Sequence, residues 1–320
     1  MSKYLLFDQP NAHPDFITNH IPFDGVVNSP KKSNRLLSWI MGCMKVIRIS
    51  NRDDTIVSWF DFQAVMCWWI CKFLFIRRKI VCINLMLKDK QTKRNKLAKY
   101  LYKKALSDTN FVASVTSRSY GEYLQRQLNI CKYFTLIHDV YHESYNINYQ
   151  GREDSHTVFC GGRNGRDWNF MIALAKAMPN VKFKFVVSGD NASIFPKLSN
   201  ISLLTDIPFS RFLEEMCSST MVALPLDTEA PAGLIVLFQA AANLKPVLIT
   251  KTATTCEYVS EGRGYALPKN IELWIRQIQQ IIENKGDAMK KASNLLSFLR
   301  TGCSEMKFTD GIQKMINAIQ

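Results

Sequence analysis

None of the nine cysteines forms a Cys-x-x-Cys pair, the histidines form no His-Glu-x-x-His motif, and no apolar run reaches membrane-spanning length. An odd set of thiols without that spacing excludes the common zinc and thiol–disulfide frameworks. Several cysteines lie inside apolar runs, as Cys82 does in Ile80-Val81-Cys82-Ile83, and there a free thiol packs as a small hydrophobe. A reduced, cytoplasmic protein is the expectation. Asp-x-Asp is missing too, since Asp53-Asp54 precedes a strand instead of following one, so no metal and no cofactor are expected. The opening MSKYLLFDQPN has only a short apolar stretch before Asp8 and no small-residue cleavage site, which argues against a secretory signal. Internal repeats and low-complexity tracts are absent.

What is present is charge, placed unevenly. The chain of 320 residues carries 41 Lys+Arg against 27 Asp+Glu. Residues 1–150 hold 22 cations and 11 carboxylates, a net of +11, whereas residues 151–320 hold 19 and 16, a net of +3. An anionic partner therefore belongs mainly to the first half. The length suits two domains, and the hydrophobic share of 47% is enough to bury a core in each.

The second half reads as short buried strands alternating with helices. Strands are expected at 157–160, 181–187, 201–204, 221–224 and 246–250. Helices are expected to begin near Asp167 and to span 209–217 and 233–243. This alternation predicts a parallel sheet covered on both faces, an α/β fold. In the first half, strands at 4–7, 55–59, 79–86 and 110–115 and helices at 61–76, 91–106 and 117–129 give an α/β pattern of less certain order. The polar stretch 145–154 reads as a linker between a domain of residues 1–150 and one of 151–320. Asp310 starts a last helix, 310–320, whose apolar face would pack back on the first domain.

Two segments carry chemistry. Cys160-Gly161-Gly162-Arg163-Asn164-Gly165-Arg166 is a strand end opening onto a helix, where free N–H groups and the helix dipole favour a phosphate. Arg163 and Arg166 add guanidinium groups suited to bidentate contact, although an ordinary glycine-bearing turn with surface arginines reads the same way. Gly233 opens a second helix after a strand and loop, in Glu229-Ala230-Pro231-Ala232-Gly233-Leu234-Ile235. Both termini would lie at one sheet edge, where open α/β sheets gather ligands. A buried alanine-rich helix packed on the sheet is compatible with the same residues.

The order GGRNGRDW, VVSG, DIPF, LPL and APAGLIVLFQAAANLKPVLIT, over roughly residues 158–265, resembles the C-terminal domain of family-4-type (group 1) GT-B glycosyltransferases of bacterial surface polysaccharide biosynthesis. The resemblance implies two Rossmann-like domains facing across a cleft and a retaining sugar transfer from a nucleotide-diphosphate sugar. It also implies that Arg163 binds the diphosphate, with Arg166 standing in for a lysine that has no counterpart here. Gly162 and the backbone amides of Gly233, Leu234 and Ile235 would complete the phosphate cradle, and Ile207 and Pro208 would lie near the base. Glu229 would approach the donor sugar, one place earlier than the family's usual spacing. Gln239 falls one place beyond the usual ribose-binding glutamate and carries no charge.

The first half would take the acceptor, a saccharide or lipid-diphosphate-linked saccharide. Ser58-Trp59-Phe60-Asp61 lies at a strand-to-helix junction, where Asp61 reads either as a catalytic acceptor-side carboxylate or as a helix N-cap. His13 and His20 follow the first strand, and His138-Asp139 reads as part of a turn. The run from Met66 to Lys79, with Trp68, Trp69, Arg77 and Arg78, and the lysine-rich stretch from Lys88 to Lys104, with Lys90, Lys93 and Arg94, suit peripheral contact with an anionic membrane. Such a protein would work at the inner face of the cell membrane. A buried helix beside a solvated lysine-rich one is the plainer alternative. Nucleic acid is not expected, because no binding signature for it occurs. The rival readings are a non-catalytic GT-B-like scaffold and a basic nucleic-acid-binding protein.

Overall fold

The computed structural model describes residues 1–88 and 92–319, which form two compact units. Lys90 and the last position of the expected helix 310–320 lie outside the described residues. The first unit comprises Met1–Val140 and Cys303–Gln320, and the second comprises Tyr141–Gly302.

In the first unit the chain runs β1 (Lys3–Phe7), α1 (Asp15–Thr18), β2 (Gly25–Asn28), α2 (Arg35–Ile49), β3 (Thr55–Ser58) and α3 (Asp61–Phe73). It continues through β4 (Lys79–Cys82), α4 (Lys93–Leu106), β5 (Phe111–Val115), α5 (Arg118–Leu128) and β6 (Thr135–Leu136). The strands form one parallel sheet in the order β2-β1-β3-β4-β5-β6. Right-handed crossovers from β2 to β6 place α2, α3, α4 and α5 on one face.

The second unit runs β7 (Asp154–Gly161), α6 (Trp168–Ala177), β8 (Lys182–Val187), α7 (Gly189–Ala192), β9 (Ile201–Thr205), α8 (Phe209–Cys217) and β10 (Ser219–Leu224). Then come α9 (Leu234–Ala242), β11 (Val247–Thr250), α10 (Thr255–Tyr258), β12 (Tyr265–Leu267), α11 (Ile271–Glu283) and α12 (Lys285–Gly302). Its sheet, also parallel, has the order β12-β11-β10-β7-β8-β9, in which strand order reverses between β7 and β10. That reversal is the topological switch point of a doubly wound sheet. Central strands such as β10 are buried along their whole length, so they read as continuous apolar runs.

The last helix, α13 (Glu305–Ile319), belongs to the first unit. Its Phe308, Ile312, Met315 and Ile316 join Leu5, Val57, Val81 and Ile83 in one core. Phe308 also packs edge-on to Trp59, with ring centroids 6.0 Å apart.

Trp68 and Asp108 fix the other face. The indole of Trp68 donates to the Asp108 carboxylate at 3.1 Å, the Lys72 ammonium approaches it at 2.7 Å, and the Asn110 amide donates at 2.8 Å. Burial pushes this carboxyl up, but Lys72, Asn110 and Trp68 together bring it down to about 2 from 3.8. A carboxylate depressed in the folded state contributes stability that is complete above its unfolded pKa and disappears as pH falls through the folded one. Urea midpoints measured between pH 5 and pH 2 should therefore fall more steeply for the wild type than for Asp108→Asn, with the difference confined to the window from about 4 down to about 2.

Candidate functional site

The carboxyl edge of the second sheet brings two loops together at the switch point. After β7, Gly162 takes φ 119° and Gly165 φ 66°, so the chain folds back before α6 begins behind its Asp167 cap. After β10, the chain passes through Pro225 and Leu226 to Gly233, whose φ of 77° lets it turn straight into α9. Between the loops, the Asp167 amide donates to the Pro225 carbonyl and the Asp227 amide to the Gly165 carbonyl, both at 3.1 Å. A Cβ on Gly165 would stand 3.0 Å from that of Ala232, so glycine permits the close approach.

Arg166 sits where these loops meet. Its Nε donates to the Gly161 carbonyl at 2.9 Å and its Nη1 to the Asn164 carbonyl at 3.0 Å. Burial lowers its pKa, and the charge of Asp227 counters that. A Cβ on Gly162 would come within 2.7 Å of its guanidinium, and one on Gly233 within 3.2 Å. Arg166 is therefore a buried clamp between the two loops. Arg163, three residues earlier, is exposed. No side chain caps α9 among the described residues, and the first-turn amides, those of Leu234 and Ile235 included, have no intrahelical acceptors.

Glu229 lies in the same loop. Its carboxylate accepts from the Ala253 amide at 2.6 Å, and its carbonyl accepts from the Thr254 hydroxyl at 2.7 Å. The turn after β11 that holds it is a threonine cluster. Thr255 Oγ1 donates to the Thr250 carbonyl at 2.6 Å, and Thr250 Oγ1 accepts from the Leu226 amide at 2.8 Å. Sequence reading missed this turn, although four threonines within six residues at a strand end were there to mark it. Gln239 is buried in the second turn of α9. Ile207 is half-buried and Pro208 exposed, the latter capping α8 just after the edge strand β9.

The first-unit candidates fall elsewhere. Asp61 is buried, and its carboxylate accepts from the Tyr102 hydroxyl at 2.8 Å, the Met86 amide at 2.9 Å and the Phe62 amide at 2.7 Å. Burial raises its pKa while these donors oppose the rise. It is the first residue of α3, whose N-cap is Phe60, so neither the capping position nor a solvent-facing acid–base role is what the structure gives it. Trp68 is buried, and Trp69 donates to the Leu101 carbonyl at 3.3 Å, so both indoles serve the packing of α3. Arg78 is turned inward, donating to the Ser50 hydroxyl at 3.0 Å and to the Ile47 carbonyl at 3.3 Å. Of the expected membrane-surface residues, Trp68 is buried and Trp69 and Arg78 are half-buried. Arg77, Lys93 and Arg94 are exposed. Among the described residues no helix is long and apolar enough to cross a membrane, and no group of three His, Cys, Asp or Glu side chains is placed to hold a metal.

Two six-stranded parallel sheets, each wrapped by helices, make this a GT-B chain of two Rossmann-like domains. The chain is similar to HepE of Anabaena, crystallised with UDP-glucose, at a TM-score of 0.72 and 15% identity over 99% of this chain and 100% of that one. It is also similar to sucrose-phosphate synthase of Thermosynechococcus elongatus (TM-score 0.73, 13% identity, 98% and 87% covered). A glycosyltransferase of Rickettsia africae is similar as well (TM-score 0.69, 10% identity, 100% and 99% covered). No family model matches the sequence, and no curated protein does either.

The clamp makes a prediction. Arg166→Met leaves the Gly161 and Asn164 carbonyls without their donors, and urea unfolding should show a loss of about 1–3 kcal/mol. Arg163→Ala, on an exposed side chain, should change stability by less than about 0.5 kcal/mol.

Proposed function

We propose that the protein is a glycosyltransferase that moves a sugar, of the hexosyl class, from a nucleotide-diphosphate sugar to a saccharide or lipid-diphosphate-linked saccharide. The observation that carries this reading is the meeting of two glycine turns and an uncapped helix start at the switch point, with a cation beside them. Glycosyltransferases share the fold, and one was crystallised with UDP-glucose.

In this reading the second unit holds the donor. The amides of Leu234 and Ile235 and the positive end of the α9 dipole face the diphosphate, and the exposed Arg163 supplies a guanidinium. Arg166 acts through position, keeping Gly162 and Gly233 close enough for their backbones to reach one anion. As the glycosidic bond breaks, negative charge grows on the departing diphosphate. Fixed amides and a guanidinium stabilise that charge without a metal ion. Glu229, oriented by the Ala253 amide, presents its other carboxylate oxygen to the donor sugar. Gln239 serves the ribose hydroxyls, and Ile207 and Pro208 the base. The first unit takes the acceptor, at the cytoplasmic face of an anionic membrane, within surface polysaccharide assembly. Transfer with retention follows from the family resemblance.

Thermal unfolding against UDP-, GDP-, ADP- and CDP-sugars tests the donor site. One base class should stabilise the wild type, by about 2.7 kcal/mol at a hundred-fold excess over Kd, and Arg163→Ala should abolish most of that gain. Absence of any shift, together with steep salt-dependent RNA binding, would replace this reading with the nucleic-acid one. Glu229→Gln keeps an acceptor for Ala253, so it should melt as the wild type does while turning over at least about a hundred-fold more slowly in a radiolabelled transfer assay.

A further inference from the structure

Helix α2 is apolar on both sides. Its inner face buries Gly42, Cys43, Val46 and Ile47 against the sheet and α3, where Gln63 accepts the Cys43 thiol through its carbonyl at 3.5 Å. Its outer face should then be polar, as on most surface helices. Instead Leu36, Leu37, Ile40, Met41 and Met44 are exposed there at i, i+3, i+4 spacing, and Leu37 is 48% accessible. Lys45, Arg48 and Ile49 complete the face towards the C-terminal end.

A second apolar feature lies on the same unit. Past the end of α3, Phe73 is 83% and Phe75 is 98% accessible, with Leu74 exposed between them. Phe75 is held at φ 56°, a left-handed conformation that costs a bulky residue energy and lifts its ring clear of the body. Arg78 ties this tip to the end of α2 through its bonds to Ser50 and to the Ile47 carbonyl. The backbone after the tip is thereby held to the C-terminal end of α2.

The segments that carry this surface are rich in cations, although Arg35 pairs with Asp8 and Lys72 with Asp108. Between Asp24 and Asp53 the sequence holds no carboxylate, but it has Lys31, Lys32, Arg35, Lys45, Arg48 and Arg52. Between Asp61 and Asp89 there is again none, against Lys72, Arg77, Arg78, Lys79 and Lys88. Arg52, Arg77 and Lys79 line one cavity together with Asp53 and Asn110. A contiguous apolar surface is uncommon on a monomer and marks a contact site. Apolar side chains rimmed by cations match the acyl boundary and headgroups of an anionic bilayer.

We propose that the outer face of α2 and the Phe73–Phe75 tip form the surface by which this protein lies on an anionic lipid membrane, the leucines, methionines and phenylalanines entering the interface and the surrounding lysines and arginines meeting the headgroups. This deepens the proposed membrane contact and moves it from the inward-turned Trp68, Trp69 and Arg78.

Flotation with vesicles of equal parts phosphatidylglycerol and phosphatidylcholine, and with phosphatidylcholine alone, tests it on the full chain. The wild type should float with the anionic vesicles only. Leu37→Gln/Ile40→Gln/Met44→Gln should bind them more than about ten-fold more weakly, and Phe73→Ser/Phe75→Ser should weaken binding too. The exposed Met289→Gln on α12 should change nothing. Each variant must keep the wild-type melting temperature and nucleotide-sugar shift, so loss of vesicle binding with the shift intact reports this surface and not the donor site. Failure of the wild type to float, or equal flotation of the triple variant, would overturn the proposal. So would sedimentation showing a wild-type dimer that the triple variant abolishes, which would make a second copy of this chain the occupant.

Discussion

A buried guanidinium governs the carboxyl edge of the second sheet. Two loops that each need glycine backbone geometry must meet there, and the first leaves two carbonyl oxygens turned inward. Arg166 bonds both of these, at Gly161 and Asn164, while its guanidinium lies close to Gly162 and Gly233. A Cβ at either glycine would displace it, so the two glycines and the arginine constrain one another. The α9 terminus and Arg163 take their positions from that arrangement. The threonine turn after β11 acts in a similar way one strand over, setting Leu226 and Glu229 through backbone bonds.

How much of this could be read from the sequence depended on where each element is buried. Strands β10 and β11 are buried along their whole length, and with the buried ends of β7 and β8 they stood out as short apolar stretches. The short strands β2, β6 and β12, of 4, 2 and 3 residues, give no such run. Helix α2 escaped because an outer face as apolar as the inner one erases the contrast on which helical periodicity depends. Helix α12 escaped for a different reason, since its first buried positions, Ala288 and Ala292, are only weakly apolar. At the site, Gly162, Gly233 and Arg163 were legible as a motif. The part played by Arg166 was not, because a phosphate-binding arginine and a loop clamp look alike until their acceptors are known. Asp61 was ambiguous for the same reason, and three donors to its carboxylate decide the matter.

The uneven charge of the two halves also acquires a physical meaning. Much of the excess in the first half surrounds the α2 face and the tip beyond α3, or lies along α4, where Leu97 and Tyr100 are exposed among the lysines. Cations next to exposed apolar groups differ from cations scattered for solubility. Arg78 and Lys72 are exceptions within that set, the first holding the end of α2 to the backbone that follows α3 and the second paired with Asp108.

The position of α13 bears on how the molecule is made. Four of its side chains complete a core whose other members lie within the first 140 residues. During synthesis on the ribosome, those residues emerge first but lack one wall of their interior until Phe308, Ile312, Met315 and Ile316 arrive. The second unit, continuous from Tyr141 to Gly302, has its whole core available earlier. The core of the second unit is thus complete in the chain at Gly302, whereas that of the first, cationic unit is closed only by the last helix.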